Sequence, residues 1–513
     1  MSGILQRIRF APEDPQVEAT LFSQTAWRRK RNRLYWQEEG GLLDGDTFFN
    51  SFPLAAWRSL TTLRTLSLSL LVEGEARIEI FSQDALGLAR SLGSFTASGE
   101  FSHAFDLDAE ACRHALRLRF TVRGALREGS WRTADPLPPA KLAVLAAVRR
   151  PTGYLEKVLT DPLLEAEGVR LHIVEQSARP VLAPLAGPRC RVTAQRNLGG
   201  AGGIGRAFLE EWDGDATHFL TLDDDVEFDV DVILRALRAA QLARAPFVLG
   251  GIFLDPLQPH LISSAGSILH QNDRDFWQGY PLLHRLDAGK PDGLDVCTLP
   301  KTGQVPTWSF CLIPAAVVRQ IGLPLPLFLS HDLDYGRRLA EAGHSVRMLP
   351  GVGTWQFYSL ERRGAAPETL FLEQYNLLLH NARRGQAACT ALFHNNVGRA
   401  MGHLLKHRHL GAASLIMGLE HFLAGWPHFR SRVLPGCLQP QRQELGLYPP
   451  EIQPQPHPAL HAHLSGRLDR VLEVFQQHGR EIQQLWEEKL PLTTDPKAWR
   501  AYAATGNLTI LPE

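Results

Sequence analysis

His218-Phe-Leu-Thr-Leu-Asp-Asp-Asp-Val226 begins as an apolar strand and ends in three adjacent carboxylates. In an open parallel sheet, ligands gather at the carboxyl ends of the strands. Three neighbouring acids repel one another, and such a cluster is tolerated where a cation or cationic ligand neutralises it. Alternate residues of an extended segment share a face, so Asp223 and Asp225 are expected to point together, with Asp224 directed elsewhere. Two hard oxygen ligands of this kind suit Mg²⁺ or Mn²⁺. The plainer alternative is a solvated acidic turn that caps the next helix.

Outward from this stretch, Leu142–Val148, Val169–Val174 and Phe247–Ile252 are further apolar runs of strand length. Helical patterns over Thr152–Glu167, Gly203–Trp212 and Asp231–Leu242 separate them, and strands alternating with helices predict an α/β fold with a parallel sheet. Before it, Leu63–Val72, Ala76–Phe81 and Arg117–Val122 alternate apolar and polar residues with no helices between them, which predicts an N-terminal β-sandwich. After about Ala366 the strand signals stop. Glu368–Arg384, Ala400–Gly425 and Leu464–Leu485 carry helical periodicity, broken by the Pro-rich stretch Pro435–Pro458. The expected domains are 1–137 (β-sandwich), 138–365 (α/β) and 366–513 (helical).

Two more segments carry chemistry. Arg196-Asn-Leu-Gly-Gly-Ala-Gly-Gly-Ile-Gly-Arg206 reads as a glycine-rich loop entering a helix, where bare backbone and free N–H groups can approach a phosphate. It has neither the Gly-Lys-Ser/Thr of a Walker loop nor the position of a dinucleotide fingerprint. Leu323-Pro-Leu-Pro-Leu-Phe-Leu-Ser-His-Asp-Leu-Asp-Tyr-Gly-Arg337 puts His331, Asp332 and Asp334 at the head of an amphipathic helix. An Asp there is either an N-cap or a general base able to take a proton from a hydroxyl. Gly351-Val-Gly-Thr-Trp-Gln356 aims Trp355 or Gln356 at the same sheet edge.

Lys+Arg and Asp+Glu are both 54, so no global charge draws the chain to nucleic acid. Six scattered cysteines without a CxxC pair fit a reducing compartment. Residues 1–12 lack the apolar core of a secretory signal, and no apolar run approaches the roughly 18–20 residues of a membrane span. The expectation is a cytoplasmic protein. The basic run Trp27-Arg-Arg-Lys-Arg-Asn-Arg33 and the segment Lys406-His-Arg-His409 suggest peripheral contact with anionic lipid.

Taken in order, these motifs resemble those of family-2 glycosyltransferases of the GT-A fold, and above all the polymerising galactofuranosyltransferases of bacterial galactan synthesis. Phe48–Trp57 resembles a segment of that group's N-terminal β-sandwich, and Gly322–Phe328 with Asp332, Tyr335 and Gly336 resembles the segment supplying its base. The resemblance implies a nucleotide-sugar donor such as a UDP-sugar, a glycan or lipid-linked glycan acceptor, and self-association. It implies metal binding by Asp223 and Asp225 and donor contacts from Arg150, Asn197, Gly199, Gly200, Gly202 and Asp224. Asp332 becomes the catalytic base, with Trp308, His331 and Trp355 near the acceptor. Four positions depart from the pattern: Gln356 stands for a His metal ligand, Ser309 for the second of paired tryptophans, His331 for an acidic residue and Arg149 for an Asn. The implied function is an inverting transfer of galactofuranose. The alternative is a catalytically weakened sugar- or nucleotide-sugar-binding relative.

Overall fold

The computed structural model describes residues 3–9, 28–30, 33–35, 41–44, 47–83, 88–109, 115–151, 153–258, 260–271, 277–281, 286–288, 304–326, 331–356, 367–428, 439–448 and 455–505. Its centre is a nine-stranded mixed sheet. Eight strands lie in the order Cys190–Ala194, Arg170–Glu175, Leu142–Val148, His218–Asp223, Phe310–Pro314, Val248–Leu254, Val346–Gln356 and Val226–Glu227, and Ile262–Ser264 pairs with Val248–Leu254. The first four run parallel, and Phe310–Pro314 runs against both of its neighbours. The Leu142–Val148 strand is buried along its whole length, which is why it reads as an unbroken apolar run. Chain order reverses between it and His218–Asp223, so a topological switch point lies where Asp223 pairs with Ala147.

The N-terminal residues form a five-stranded antiparallel sheet, ordered Gly3–Arg7, Ala115–Thr133, Leu66–Gln83, Ala89–Phe105, with Gly41–Asp44 also paired to Ala115–Thr133. The two alternating runs expected around Gly74 are one long strand, which passes that glycine at φ 89° with a register shift between Val72 and Ala76. A short ribbon, Arg28–Lys30 with Arg33–Tyr35, is a separate two-stranded sheet. The expected sandwich is not confirmed: among the described residues one large sheet forms beside this ribbon. Its buried face is covered instead by Phe48–Trp57. Phe52 packs 5.4 Å from both Trp57 and Trp131, and the Trp131 indole N–H donates to the Asn50 carbonyl at 3.0 Å.

Arginines join this sheet to the α/β unit. Arg7, at the end of the first strand, reaches Asp231 at 2.7 Å and Asp161 at 2.8 Å. Asp231 is also held by Arg235 at 2.7 Å, and Arg235 donates to the Gly351 carbonyl at 2.9 Å. Burial alone would raise the Asp231 carboxyl, but the Arg235 and Arg7 guanidiniums overcome it and hold it below the ordinary carboxylate range.

The C-terminal region is helical, as expected. Pro367–Ala382, Gln386–Leu405, His409–Leu423 and Pro458–Lys489 pack together, with Arg467 paired to Glu420 and Glu444. The single helix expected over Ala400–Gly425 breaks at Lys406–Arg408, where His407 adopts φ 56°. The Thr152–Glu167 pattern is likewise two short helices, divided where Asp161 caps the second ahead of Pro162. Among the described residues no helix is long and apolar enough to cross a membrane. Residues 435–438 and 449–454 of the Pro-rich stretch and the side chains of Trp27–Arg33 lie outside the described residues.

Removing the Asp231 carboxylate leaves Arg235 buried without its counter-charge. Asp231→Ala should cost about 3–5 kcal/mol, read as a lowered urea midpoint, whereas Lys406→Ala at an exposed turn should leave the midpoint in place.

Candidate active site

The mixed sheet gathers its polar residues at one edge. His218–Asp223 and Val346–Gln356 end there. Because Phe310–Pro314 runs the other way, its preceding residue, Ser309, lies at the same edge. Register pairs Val226 with Gln356, bringing the turn at Asp224-Asp225 alongside the end of the Val346–Gln356 strand.

Four side chains are linked there. The Ser309 hydroxyl donates to Asp223 Oδ2 at 2.6 Å, and Gln356 Nε2 donates to Ser309 Oγ at 2.8 Å and to Asp225 Oδ1 at 3.4 Å. Asp224 turns away, its Oδ2 accepting the backbone N–H groups of Arg149 and Arg150, each at 2.6 Å. Thus Asp223 and Asp225 meet one pair of side chains while Asp224 ties down the end of the first strand. Arg150 is exposed and meets the triplet through its backbone.

Burial and the neighbouring Asp225 push the Asp223 carboxyl up to about 7, with Asp224 and Asp332 adding to the rise and Ser309 opposing it. Burial and Asp224 raise Asp225 as well, against the Gln356 bond. Among the described residues no Lys, Arg or His pairs with Asp223 or Asp225; their contacts are neutral donors. Two carboxylates and an amide are the hard oxygen set that suits Mn²⁺ or Mg²⁺, and their mutual repulsion is what a divalent cation would relieve.

The His331–Glu341 helix gives its two acids opposite surroundings. Asp334 is buried among Arg338 at 2.9 Å, Arg383 at 3.0 Å, Arg337 at 3.1 Å and His380 at 3.7 Å. Burial would raise it, but Arg338, His380 and Arg383 more than offset that and hold it well below the ordinary range. Asp332 Oδ1 accepts the Leu333 N–H at 3.0 Å, and its charge reaches Asp223. Asp332 thus lies within electrostatic reach of Asp223 while Asp334 anchors the helix.

The glycine segment differs from expectation. Helix begins at Gly199, so all five of these glycines lie inside Gly199–Glu210 rather than in an open loop. A Cβ on Gly203 would come 2.4 Å from Ala147 Cβ, and one on Gly200 would come 2.6 Å from His331 Cε1. These glycines seat the helix against the first strand and against His331. Asn197 Oδ1 accepts the Gly199 N–H at 3.0 Å, and Gln176, which the sequence reading missed, holds the Leu198 N–H at 2.9 Å and the Gly199 carbonyl at 3.0 Å. Gly202 is buried against Leu198, where a Cβ would come 2.2 Å from Leu198 Cβ.

Trp308 and Trp355 are only 3% and 5% exposed, so both shape the site from within the core. Trp308 packs 4.9 Å from His331 and 4.8 Å from Tyr335, and its Nε1 is buried without a partner, as is His331 Nδ1. Burial lowers His331 against the pull of Asp332. Trp355 packs 5.5 Å from Phe49, carrying the Phe48–Trp57 segment up to the strand that ends in Gln356.

Sheet edge, acidic cluster and the acid-bearing His331–Glu341 helix are the geometry against which the comparisons with known proteins stand. No family profile matches the chain. The galactofuranosyltransferase GlfT2 of Mycobacterium tuberculosis is 27% identical over 429 residues, 75% of this chain and 66% of the relative. GlfT2 of Mycolicibacterium smegmatis is 26% identical over 437 residues, 79% of this chain and 67% of the relative. The chain therefore spans about two thirds of the length of these relatives. A mannosyltransferase from Pyrobaculum calidifontis, solved with GDP-Man and Mn²⁺, covers 67% of this chain and 88% of its own at 12% identity, with a TM-score of 0.31. Glycosyltransferase is the class that this homology supports. The chain is similar to these galactofuranosyltransferases over about three quarters of its length.

The two acids of the His331–Glu341 helix should separate in stability measurements. Asp334→Asn strands buried guanidiniums and should lower stability by about 3–5 kcal/mol, whereas Asp332→Asn should leave it unchanged or slightly raised. The Asp334 contribution is complete above about pH 4 and should vanish as pH falls below the ordinary carboxylate range, because its folded pKa is depressed. Asp225→Asn relieves repulsion and should raise the Tm of metal-free protein, measured by thermal melting in chelator.

Proposed function

We propose that this protein is an inverting, metal-dependent glycosyltransferase built on a GT-A-type domain. On this reading 1–137, 138–365 and 366–513 are its domains. Its donor is a nucleotide sugar, UDP-galactofuranose being the one its relatives suggest, and its acceptor is a hydroxyl of a glycan or lipid-linked glycan. The observation that carries the proposal is the convergence of Asp223, Asp225 and Asp332 at one sheet edge, with no cation paired to Asp223 or Asp225 among the described residues.

In this reading Asp223 and Asp225 would hold Mn²⁺ or Mg²⁺, and Gln356, whose Nε2 faces Asp225 and Ser309, would turn its amide to bring the carbonyl oxygen to the cation. When bound, the cation supplies positive charge against the departing diphosphate. Asp332 takes the proton from the acceptor hydroxyl as its oxygen attacks the anomeric carbon. The new C–O bond forms as the bond to the nucleoside diphosphate breaks, and one displacement inverts the anomeric centre. Asp224 fixes the strand end beside the donor, with Arg150, Asn197 and the first turn of the Gly199–Glu210 helix around the nucleotide diphosphate. Trp308, packed against His331 from within the core, shapes the acceptor side with it. Peripheral lipid contact and self-association belong to the same proposal.

A second reading is favoured by Ser309 and Gln356, whose neutral hydrogen bonds already satisfy part of the acidic pair. In it the chain binds a nucleotide sugar with little turnover. Assay of UDP release from UDP-galactofuranose with a galactofuranose-terminated acceptor and Mn²⁺ separates the two. Turnover that falls about 10²–10⁴-fold in Asp332→Asn, with donor affinity kept, supports the enzyme. Metal-dependent UDP binding without turnover supports the second reading. Full activity in Asp332→Asn overturns the assignment of the base.

A further inference from the structure

Two histidines two residues apart, and a third more than fifty residues further along the chain, converge in the helical C-terminal region. His407 lies in the turn after Gln386–Leu405, His409 opens His409–Leu423, and His461 sits in the first turn of Pro458–Lys489. One ring nitrogen from each lies within 4.8 Å of the other two. His409 is 1% exposed, and both of its ring nitrogens are buried without a hydrogen-bond partner among the described residues, as is His407 Nδ1. A buried imidazole with both nitrogens unpaired is costly unless something absent from the protein chain satisfies it.

The backbone gives a second, independent sign. His407 has φ 56°, the sole positive φ of a non-glycine residue among those described. Its N–H donates to the Leu404 carbonyl and the Arg408 N–H to the His403 carbonyl, both at 2.9 Å, so it occupies the left-handed position that closes a helix. Glycine is favoured there, because a side chain in this conformation is strained. The strain sets the His407 ring 6.3 Å, centroid to centroid, from that of His409. Strain held in place beside unsatisfied buried nitrogens is the pattern of a built site. His457 stands nearby but uses Nδ1 to accept the Leu460 N–H at 3.3 Å, capping the long helix.

We propose that His407, His409 and His461 form a binding site for a late first-row divalent metal, Zn²⁺ foremost, which clips the Lys406–Arg408 corner to the start of the Pro458–Lys489 helix. Three neutral imidazoles are borderline ligands that favour Zn²⁺, Co²⁺ or Ni²⁺ over Mg²⁺, leaving a fourth position for water or another ligand. The carboxylates of the sheet edge prefer hard cations, so ligand softness sorts two metals between two sites.

The test uses the full chain without an affinity tag, in saturating Mg²⁺ to fill hard-oxygen sites, and titrates Co²⁺ by visible absorption and Zn²⁺ by competition. The expected result is one equivalent bound and a Zn²⁺-dependent rise in Tm. In His461→Ala and His407→Gly the affinity should fall by more than about tenfold, with the Tm rise lost, while Asp225→Ala keeps both. His407→Gly relieves the strained backbone and should melt above the wild type when metal-free, which separates loss of the site from loss of the fold. Wild type that binds no Zn²⁺ at micromolar concentration overturns the proposal, as does unchanged affinity in His461→Ala and His407→Gly.

Discussion

Repulsion among carboxylates at one sheet edge is the constraint around which the site is organised. Burial and Asp225 raise the hold of Asp223 on a proton, burial and Asp224 raise that of Asp225, and Asp332 adds its field to Asp223 from a separate helix. The fold answers with geometry. Asp224 is spent on two backbone N–H groups, and a serine and a glutamine supply neutral donors to the other two. This leaves charge concentrated where a cation can enter, and stability elsewhere must hold the cluster together.

Much of that stability comes from acids placed oppositely. Asp231 and Asp334 are as deeply buried as any carboxylate described, yet each is wrapped by guanidiniums. Asp334 lies two residues from Asp332 on one helix, so a single element both anchors itself to the helical region through Arg383 and presents an acid to the sheet edge. The separation follows from helix geometry, since residues two apart point to different faces.

The parts legible in the sequence were those with a local signature. The fully apolar Leu142–Val148 strand, the acidic triplet and the helical character after residue 366 follow from periodicity and charge alone. What escaped was set by contacts distant in sequence. Glycine runs read as open loop, but Gly200 and Gly203 are small because His331 and Ala147 press on them, so the helix starts at Gly199. Alternating strands predicted two facing sheets, but Phe48–Trp57, a segment of irregular pattern, covers the one large sheet. The helix break at His407 carries no Gly or Pro to announce it. Ser309 looked like a loss, and only the antiparallel strand behind it reveals that its hydroxyl meets Asp223.

The arginine at the end of the first strand has a bearing on how the chain is made. The strand of Arg7 pairs with Ser130–Thr133, and its guanidinium meets Asp161 and Asp231. The strand can find its place once residue 133 is made, but its arginine waits for Asp231, more than two hundred residues further along the chain. Docking of that strand end and neutralisation of a buried acid in the α/β unit are therefore one event, so the last step for one half of the molecule is conditional on the arrival of the other.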